Sequence, residues 1–345
     1  KMSKSLGNSP DVLELFDKYG VDAVRTSILM MAPQGLDIYF KEERLEQGRN
    51  FMNKLWNCSR FILMNIEDGV EEFIDFPKQA DLDPTDLWIL SRLNTTIDNV
   101  DKAYQSYKMN DAVKIVYEFV YSDFCDWYIE FSKARFYGTD EKSRQTALNV
   151  SVFCMRTILK LLHPYTPYIT EELWGYFSTP EEGMIINESW PETNSTFINK
   201  KNESDLAIIK KSISSIRNLR AEMNIPLGKE IDIIIKSSKT QETIFNELKR
   251  YMIRLAKINN IIINPNATKP DQSASIIIED NEIFIPLAGV IDITIEIERL
   301  TKQIDAYKGR LKNVNKKLNN KNFVDRAPQD IINNEKKKQE QYQST

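Results

Sequence analysis

The first eight residues, Lys1-Met2-Ser3-Lys4-Ser5-Leu6-Gly7-Asn8, put two ammonium groups and two hydroxyls on a short segment that Gly7 ends. Mobile point charges of this kind can grip a polyphosphate without a rigid cradle. The chemistry they suit is neutralisation of a phosphoryl-type transition state, where donors aimed at developing negative charge do most of the work. A scaffold follows at once. Ser9-Pro10-Asp11 reads as a helix start, with a hydroxyl able to cap, a proline allowed in the first turn and an acid at the positive end of the dipole. Val12, Leu15, Phe16 and Tyr19 mark one face of that helix, and Gly20 stops it. The opening segment is thus a strap held against a rigid helix.

The elements behind it are mainly helical. At 345 residues, 41% hydrophobic and 28% charged, the chain is expected to be a soluble protein of several domains. No apolar run reaches the ~18 residues of a membrane span, and the first residues are no signal peptide, so the cytoplasm is the expected compartment. A second short helix, Asp22 to Met31, leads through Ala32-Pro33-Gln34-Gly35 to an extended piece, Leu36 to Phe40. Long amphipathic helices are then expected near 41–66, 83–106, 109–137, 142–163 and 167–177. Tyr117, Val120 or Tyr121, Phe124 and Tyr128 recur at the spacing of a bundle helix. Thr166 or Thr170 could cap the helix that carries Trp174.

Residues 179–202, rich in Pro, Asn, Ser and Gly, read as a linker. A helix through Leu206, Ile209, Ile213, Ile216 and Leu219 ends at Pro226; a strand at 231–235, a helix near 240–255 and strands near 259–263, 274–279 and 282–286 make a small α/β unit. Asp280-Asn281 is the hairpin turn. Ile297, Leu300, Ile304, Tyr307, Leu311, Val314 and Leu318 then alternate spacings of three and four, a coiled-coil seam. Asn319-Asn320-Lys321-Asn322 breaks it, and Pro328 opens a second helix with Ile331, Ile332 and Tyr342, so an antiparallel hairpin is expected. From Arg299 onward there are twelve Lys and Arg against five Asp and Glu, a net +7 on a chain whose total is −4. A basic arm on an acidic body is the footprint of nucleic-acid contact. Lys312, Lys316, Lys317, Lys321, Arg326 and Lys336 to Lys338 would supply it by counterion release.

Cys58, Cys125 and Cys154 are odd in number, far apart and set among apolar residues, which suits reduced thiols and argues against disulfides or a zinc site; no metal is expected. His163, the single histidine, ends an apolar helix in His-Pro-Tyr-Thr-Pro and reads as structural.

The opening run resembles the second signature of class I aminoacyl-tRNA synthetases at every position. A second block follows: Asp11, Tyr19-Gly20 and Asp22-Ala23-Val24-Arg25 resemble the family's Asp, Tyr-Gly, Asp-Ala-Leu-Arg, with Val24 for Leu. The resemblance implies that the loop closes over ATP and that Lys4, supported by Lys1 and Ser5, contacts the phosphates as the amino-acid carboxylate attacks the α-phosphorus. It also implies that the helical bundle binds the tRNA anticodon. Glu46 to Phe61 resembles the family's first bundle helix, and Arg49, Asn50, Asn53, Lys54, Asn57, Arg60 and Phe61 along it mix cations, amides and an aromatic. Unpaired bases need that mixture. Phe124 to Glu130 and His163 to Trp174 match further family blocks and read as packing.

Within the class, Arg217 to Pro226, Pro286-Leu287-Ala288-Gly289 with Ile291-Asp292, and Asn322-Phe323-Val324-Asp325-Arg326-Ala327-Pro328 resemble the valyl-tRNA synthetase family. Its basic arm contacts the tRNA elbow. Gln329-Asp330 and Asn333-Asn334 depart from it where acids are usual. The implied organisation is a loop and connector over 1–40, an anticodon-binding bundle with linker over 41–200, a small α/β domain over 201–288 and a tRNA-binding arm over 289–345. The implied whole enzyme is an ATP- and Mg²⁺-dependent ligase, monomeric, joining valine to tRNA(Val) and clearing misactivated threonine in an inserted domain. The other class signature, His-x-Gly-His, cannot come from one histidine, so the expectation is the C-terminal part of a longer enzyme, inactive alone. Two rivals are an isoleucyl-tRNA synthetase portion, which more often carries a Cys-rich zinc tail, and a non-catalytic RNA-binding scaffold.

Overall fold

A computed structural model describes residues 9–32, 34–67, 69–73, 79–291, 293–320 and 327–344. It divides into two compact units, one of residues 1–214 with 243–256, the other of 215–242 with 257–345.

The described residues of the first unit form helices and loops, with no strand. Helices α1 (Val12–Tyr19) and α2 (Val21–Met31) meet at Gly20, whose φ of +89° only glycine adopts freely and whose N–H closes α1 on the Phe16 carbonyl. The cap of α1 is Asp11 rather than Ser9: its carboxylate accepts the Leu13 N–H at 2.8 Å. The bundle comprises α3 (Leu45–Leu63), α4 (Pro84–Gln105), α5 (Met109–Glu118), α6 (Ile129–Phe136), α7 (Glu141–Leu162) and α8 (Pro167–Phe177). Trp88, Phe119, Phe124, Tyr128, Phe131, Trp174 and Phe177 fill its core.

The helix expected over 109–137 is not one α-helix. Phe119–Tyr128 is π-helical, with the Ile129 N–H bonded to the Phe124 carbonyl five residues back. The wider turn brings Phe119, Phe124 and Tyr128 inward together, all three buried. Spacings of five and four replace the α period there, a geometry that favours functional sites.

A polar network runs through this core. Asp86 is fully buried and accepts two hydrogen bonds from Arg135 Nη1 and one from the Tyr128 hydroxyl, each at 2.7 Å, while completing the capping box at Asp83. Asp83 in turn accepts from Tyr251 at 2.9 Å and pairs with Arg250.

In the second unit four strands, β1 (Ile231–Lys236), β2 (Ile258–Ile263), β3 (Ser273–Ile278) and β4 (Asn281–Pro286), lie in the order β2-β1-β4-β3. β1 and β2 run parallel and the other pairs antiparallel. The parallel pair needs a connecting crossover; the chain between β1 and β2 forms α10 (Lys239–Glu247) and α11 (Lys249–Ala256), two helices where the sequence suggested one, of which residues 243–256 group with the first unit. The β3–β4 turn sits one residue earlier than expected: Ile278 pairs with Asn281, and Glu279 takes the left-handed φ of +52°. α9 (Lys200–Glu222) ends through Asn224, at φ +51°, with the Ile225 N–H returning to the Arg220 carbonyl, so Pro226 follows the stop rather than making it. Arg220 is itself buried, donating to the carbonyls of Pro226, Lys229 and Lys257, and burial lowers its pKa.

The arm is a hairpin of α12 (Ile293–Leu318) and α13 (Gln329–Ser344). Val314 and Ile332 are buried, the rings of Tyr307 and Tyr342 lie 5.9 Å apart, and Gln339 donates to Asn315 at 2.6 Å. Among the described side chains of the expected seam, coverage is greatest toward its second half. Ile297 and Ile304 remain 59% and 50% exposed.

Glu335 pairs with Lys338 at 2.8 Å and Lys317 at 3.4 Å, and these ammonium groups, Lys338 first, hold its carboxylate below the usual range. A lowered folded pKa gives stability that is present above the unfolded value, here 4.5, and lost as pH falls through the folded one. Acidification below about pH 4.5 should therefore loosen the hairpin, seen as growing hydrogen exchange at α13 amides; protection unchanged down to pH 3 would exclude a role for the pairs.

Candidate nucleic-acid interface

α3 brings the candidate RNA contacts together because one of its sides must be buried. Leu45, Gly48, Phe51, Met52, Leu55, Cys58, Ser59 and Ile62 face the core. Gly48 is required there: a Cβ would lie 2.3 Å from the Ala23 carbonyl oxygen and from Ser27 Oγ, so α2 crosses α3 backbone to backbone. The opposite side exposes Arg49, Asn50, Asn53, Asn57 and Arg60. Arg49 pairs with Glu46. The side chains of Asn50, Asn53, Asn57 and Arg60 have no polar partner among the described residues, so their donors and acceptors are available to a ligand.

Lys54 and Phe61 sit differently. Lys54 turns into the seam between α3 and the π-helical segment, 2.6 Å from Asp126 and 3.2 Å from the Tyr121 ring centroid. Phe61 is half-buried with its ring 5.9 Å from that of Phe136, and the Lys133 ammonium lies 5.3 Å from it. Trp56, which the sequence reading did not single out, is 40% exposed on the same side as Asn53 and Arg60. Its spacing of three from Asn53 and four to Arg60 was the available signal.

The block Asp22-Ala23-Val24-Arg25 joins the connector to the bundle. Asp22 Oδ2 accepts the Ile169 N–H at 2.7 Å, so the start of α8 is capped from α2. Neither threonine caps it: Thr166 Oγ1 donates to Leu162 and Thr170 Oγ1 to Thr166, both carbonyls one turn back. Burial raises the Asp22 pKa, opposed by the N–H groups of Ile169 and Tyr168. Arg25 donates to the carbonyls of Tyr165, at 3.1 Å, and Pro164, at 3.3 Å. His163 Nδ1 lies 2.8 Å from Thr170 Oγ1 in the same turn, a structural setting. Two distant sequence blocks thus form one clamp, which fixes α2 to the bundle.

Lys1, Lys4, Ser5, Lys321 and Arg326 lie outside the described residues. On the arm, Lys312 and Lys316 are exposed, and Lys317 is exposed while pairing with Glu335. The three cysteines are free. Among the described residues no three His, Cys, Asp or Glu side chains gather as a metal site, and no helix is long and apolar enough to cross a membrane.

Two protein families match this chain: the anticodon-binding domain of tRNA ligases over residues 86–235 and the valyl tRNA synthetase tRNA binding arm over 292–345. A valine–tRNA ligase of Enterococcus faecalis is 36% identical over 343 residues, covering 99% of this chain and 39% of that protein. The valine–tRNA ligase of Oceanobacillus iheyensis is 38% identical over 344 residues, covering 99% and 38%. The chain therefore spans less than two fifths of the length of these relatives. Among solved structures, a ternary complex of Agrobacterium radiobacter K84 LeuRS with tRNA covers 76% of this chain and 30% of its own at 18% identity and a TM-score of 0.44, too distant to carry an argument. With an anticodon-binding domain model, a valyl-type arm model and relatives aligned over 99% of its length, the chain is similar from end to end to one part of the valyl-tRNA synthetases.

Proposed function

We propose that this chain supplies the tRNA-holding part and the ATP-phosphate loop of an ATP-dependent valine–tRNA ligase acting in the cytoplasm as a monomer. Residues 1–40 serve as loop and connector, 41–200 as anticodon bundle with linker, 201–288 as a small α/β domain and 289–345 as the elbow-binding arm. The observation that carries this reading is the pairing of an anticodon-type domain with a separate valyl-type arm on one chain. Physically, the arm's Lys312, Lys316, Lys317, Lys321 and Arg326 give affinity by displacing counterions. The amides and arginines of α3 suit base edges and phosphates in a single-stranded loop.

The resemblance assigns Lys4 to the ATP phosphates, with Lys1 and Ser5 in support, while Mg²⁺ and valine belong to the complete reaction. One histidine cannot form the His-x-Gly-His signature, so the chain by itself should bind tRNA(Val) and catalyse no valine-dependent ATP–pyrophosphate exchange. Exchange by the purified chain above a no-protein control would overturn the assignment of chemistry to other residues.

A further inference from the structure

We propose that the corner where α3 ends, α6 ends and α7 begins is a pocket for one unstacked nucleobase carrying an exocyclic amino group. The proposal rests on reading this bundle as an anticodon binder and names residues that read one base. The corner encloses about 410 Å³, lined among others by Glu67, Tyr137, Glu141, Arg144 and Gln145. Tyr137, Glu141, Arg144 and Gln145 lie within the matched anticodon-binding domain, which α3 precedes.

The stacking surface is Tyr137. It follows the buried Phe136, whose ring meets Phe61 at the end of the exposed α3 side, yet Tyr137 itself is 63% exposed. The Arg254 guanidinium lies 5.8 Å from its ring centroid. A base arriving on the ring's other face would complete a cation–ring–base stack, which every base can join through its π-face.

The selectivity lies in which polar groups are already used. Arg144 donates to the Asn65 carbonyl at 2.8 Å, to Glu67 at 3.1 Å and to Glu141 at 3.2 Å. The Gln145 amide N–H₂ donates to Glu141 at 2.8 Å. These donors are spent inside the corner, while the side chains of Glu67 and Glu141 remain 78% and 66% exposed, each with unused lone pairs. A rim of acceptors pairs with the amino groups of adenine, cytosine or guanine. Uracil offers a single N–H set between two carbonyls, so a carboxylate that reaches that N–H also faces a carbonyl oxygen on either side and gains less than from an amino group. The same carboxylates repel phosphate, so the corner takes a base edge while Arg60 and Arg254 are left for the backbone.

The test is fluorescence anisotropy of this chain with a tRNA(Val) transcript. Tyr137→Ala should weaken binding roughly 5- to 150-fold, the range for loss of one stacked base, and Tyr137→Phe should not. Replacing the amino-bearing anticodon-loop bases by uracil one at a time should locate one position where the native chain loses affinity and Tyr137→Ala loses no more. Glu141→Gln, able to donate, should weaken the discrimination against uracil there. Tyr137 is exposed, so its variants should keep the native circular dichroism spectrum. Native-chain binding that Tyr137→Ala leaves unchanged, or losses that simply add at every position, overturns the pocket and leaves the broader reading intact. Absence of tRNA binding by the native chain overturns both.

Discussion

Arg135→Ala should cost the helical unit about 3–5 kcal/mol of stability in urea unfolding, the range for leaving a buried charge without its partner. The guanidinium is 2% exposed and the Asp86 carboxylate 0%. Arg135 Nη1 reaches both carboxylate oxygens and Nε donates to Ser143 Oγ at 2.9 Å. Truncation leaves Asp86 with the Tyr128 hydroxyl and the Asp83 N–H but no cation. The sign with pH follows from burial, which raises the Asp86 pKa even with Arg135 present. A raised folded pKa gives stability that is complete below the unfolded value, 3.8, and lost as pH rises through the folded value. Without the guanidinium the folded value climbs further, so the variant's deficit should be smaller at pH 5 than at pH 8. Asp86→Leu combined with Arg135→Met should recover part of the loss, since both charges then go together. A deficit below about 1 kcal/mol, flat with pH, would mean that water reaches the pair.

Lys4→Ala, placed in a complete ligase that carries this chain, should lower kcat for valine-dependent ATP–pyrophosphate exchange by roughly 10²- to 10³-fold, the effect of losing one donor to developing negative charge. KM for valine should change little, because the loop is proposed to meet phosphate and not the amino acid. Lys4→Arg should restore only part of the rate: a planar fork keeps the charge but not the reach and compactness of an ammonium on a flexible stem. A loss under tenfold would move the role to Lys1 or elsewhere.

What the sequence made legible follows from what local pattern encodes. The helices from α3 to α8 announced themselves through apolar residues three and four apart, and the sheet through isoleucine-rich runs such as Ile231 to Ile235. The exposed amides and arginines of α3 could be listed because burying one side of a helix exposes the other. Partners distant in sequence were not legible. Asp22 caps α8 from 147 positions away, and no local rule prefers it over Thr166. Lys54 reads as a surface cation until Asp126 and Tyr121 fold beside it. The π-helical turn was hidden because Phe124 and Tyr128 fit an α spacing and only Phe119, five residues before Phe124, betrays the wider pitch. The corner at Tyr137 escaped notice for the same reason, since its walls come from the ends of three helices.

The proposed function requires that this chain hold tRNA(Val) by its anticodon loop and its elbow. The most direct measurement is the affinity of the purified chain for a tRNA(Val) transcript, for the same transcript with another amino acid's anticodon, and for an unrelated tRNA, each at two salt concentrations. Binding should be tightest to tRNA(Val), fall clearly on exchange of the anticodon alone, and weaken steeply with salt through the arm's phosphate contacts. Equal affinity for all three RNAs would contradict anticodon reading, and failure to bind any of them would contradict the account as a whole.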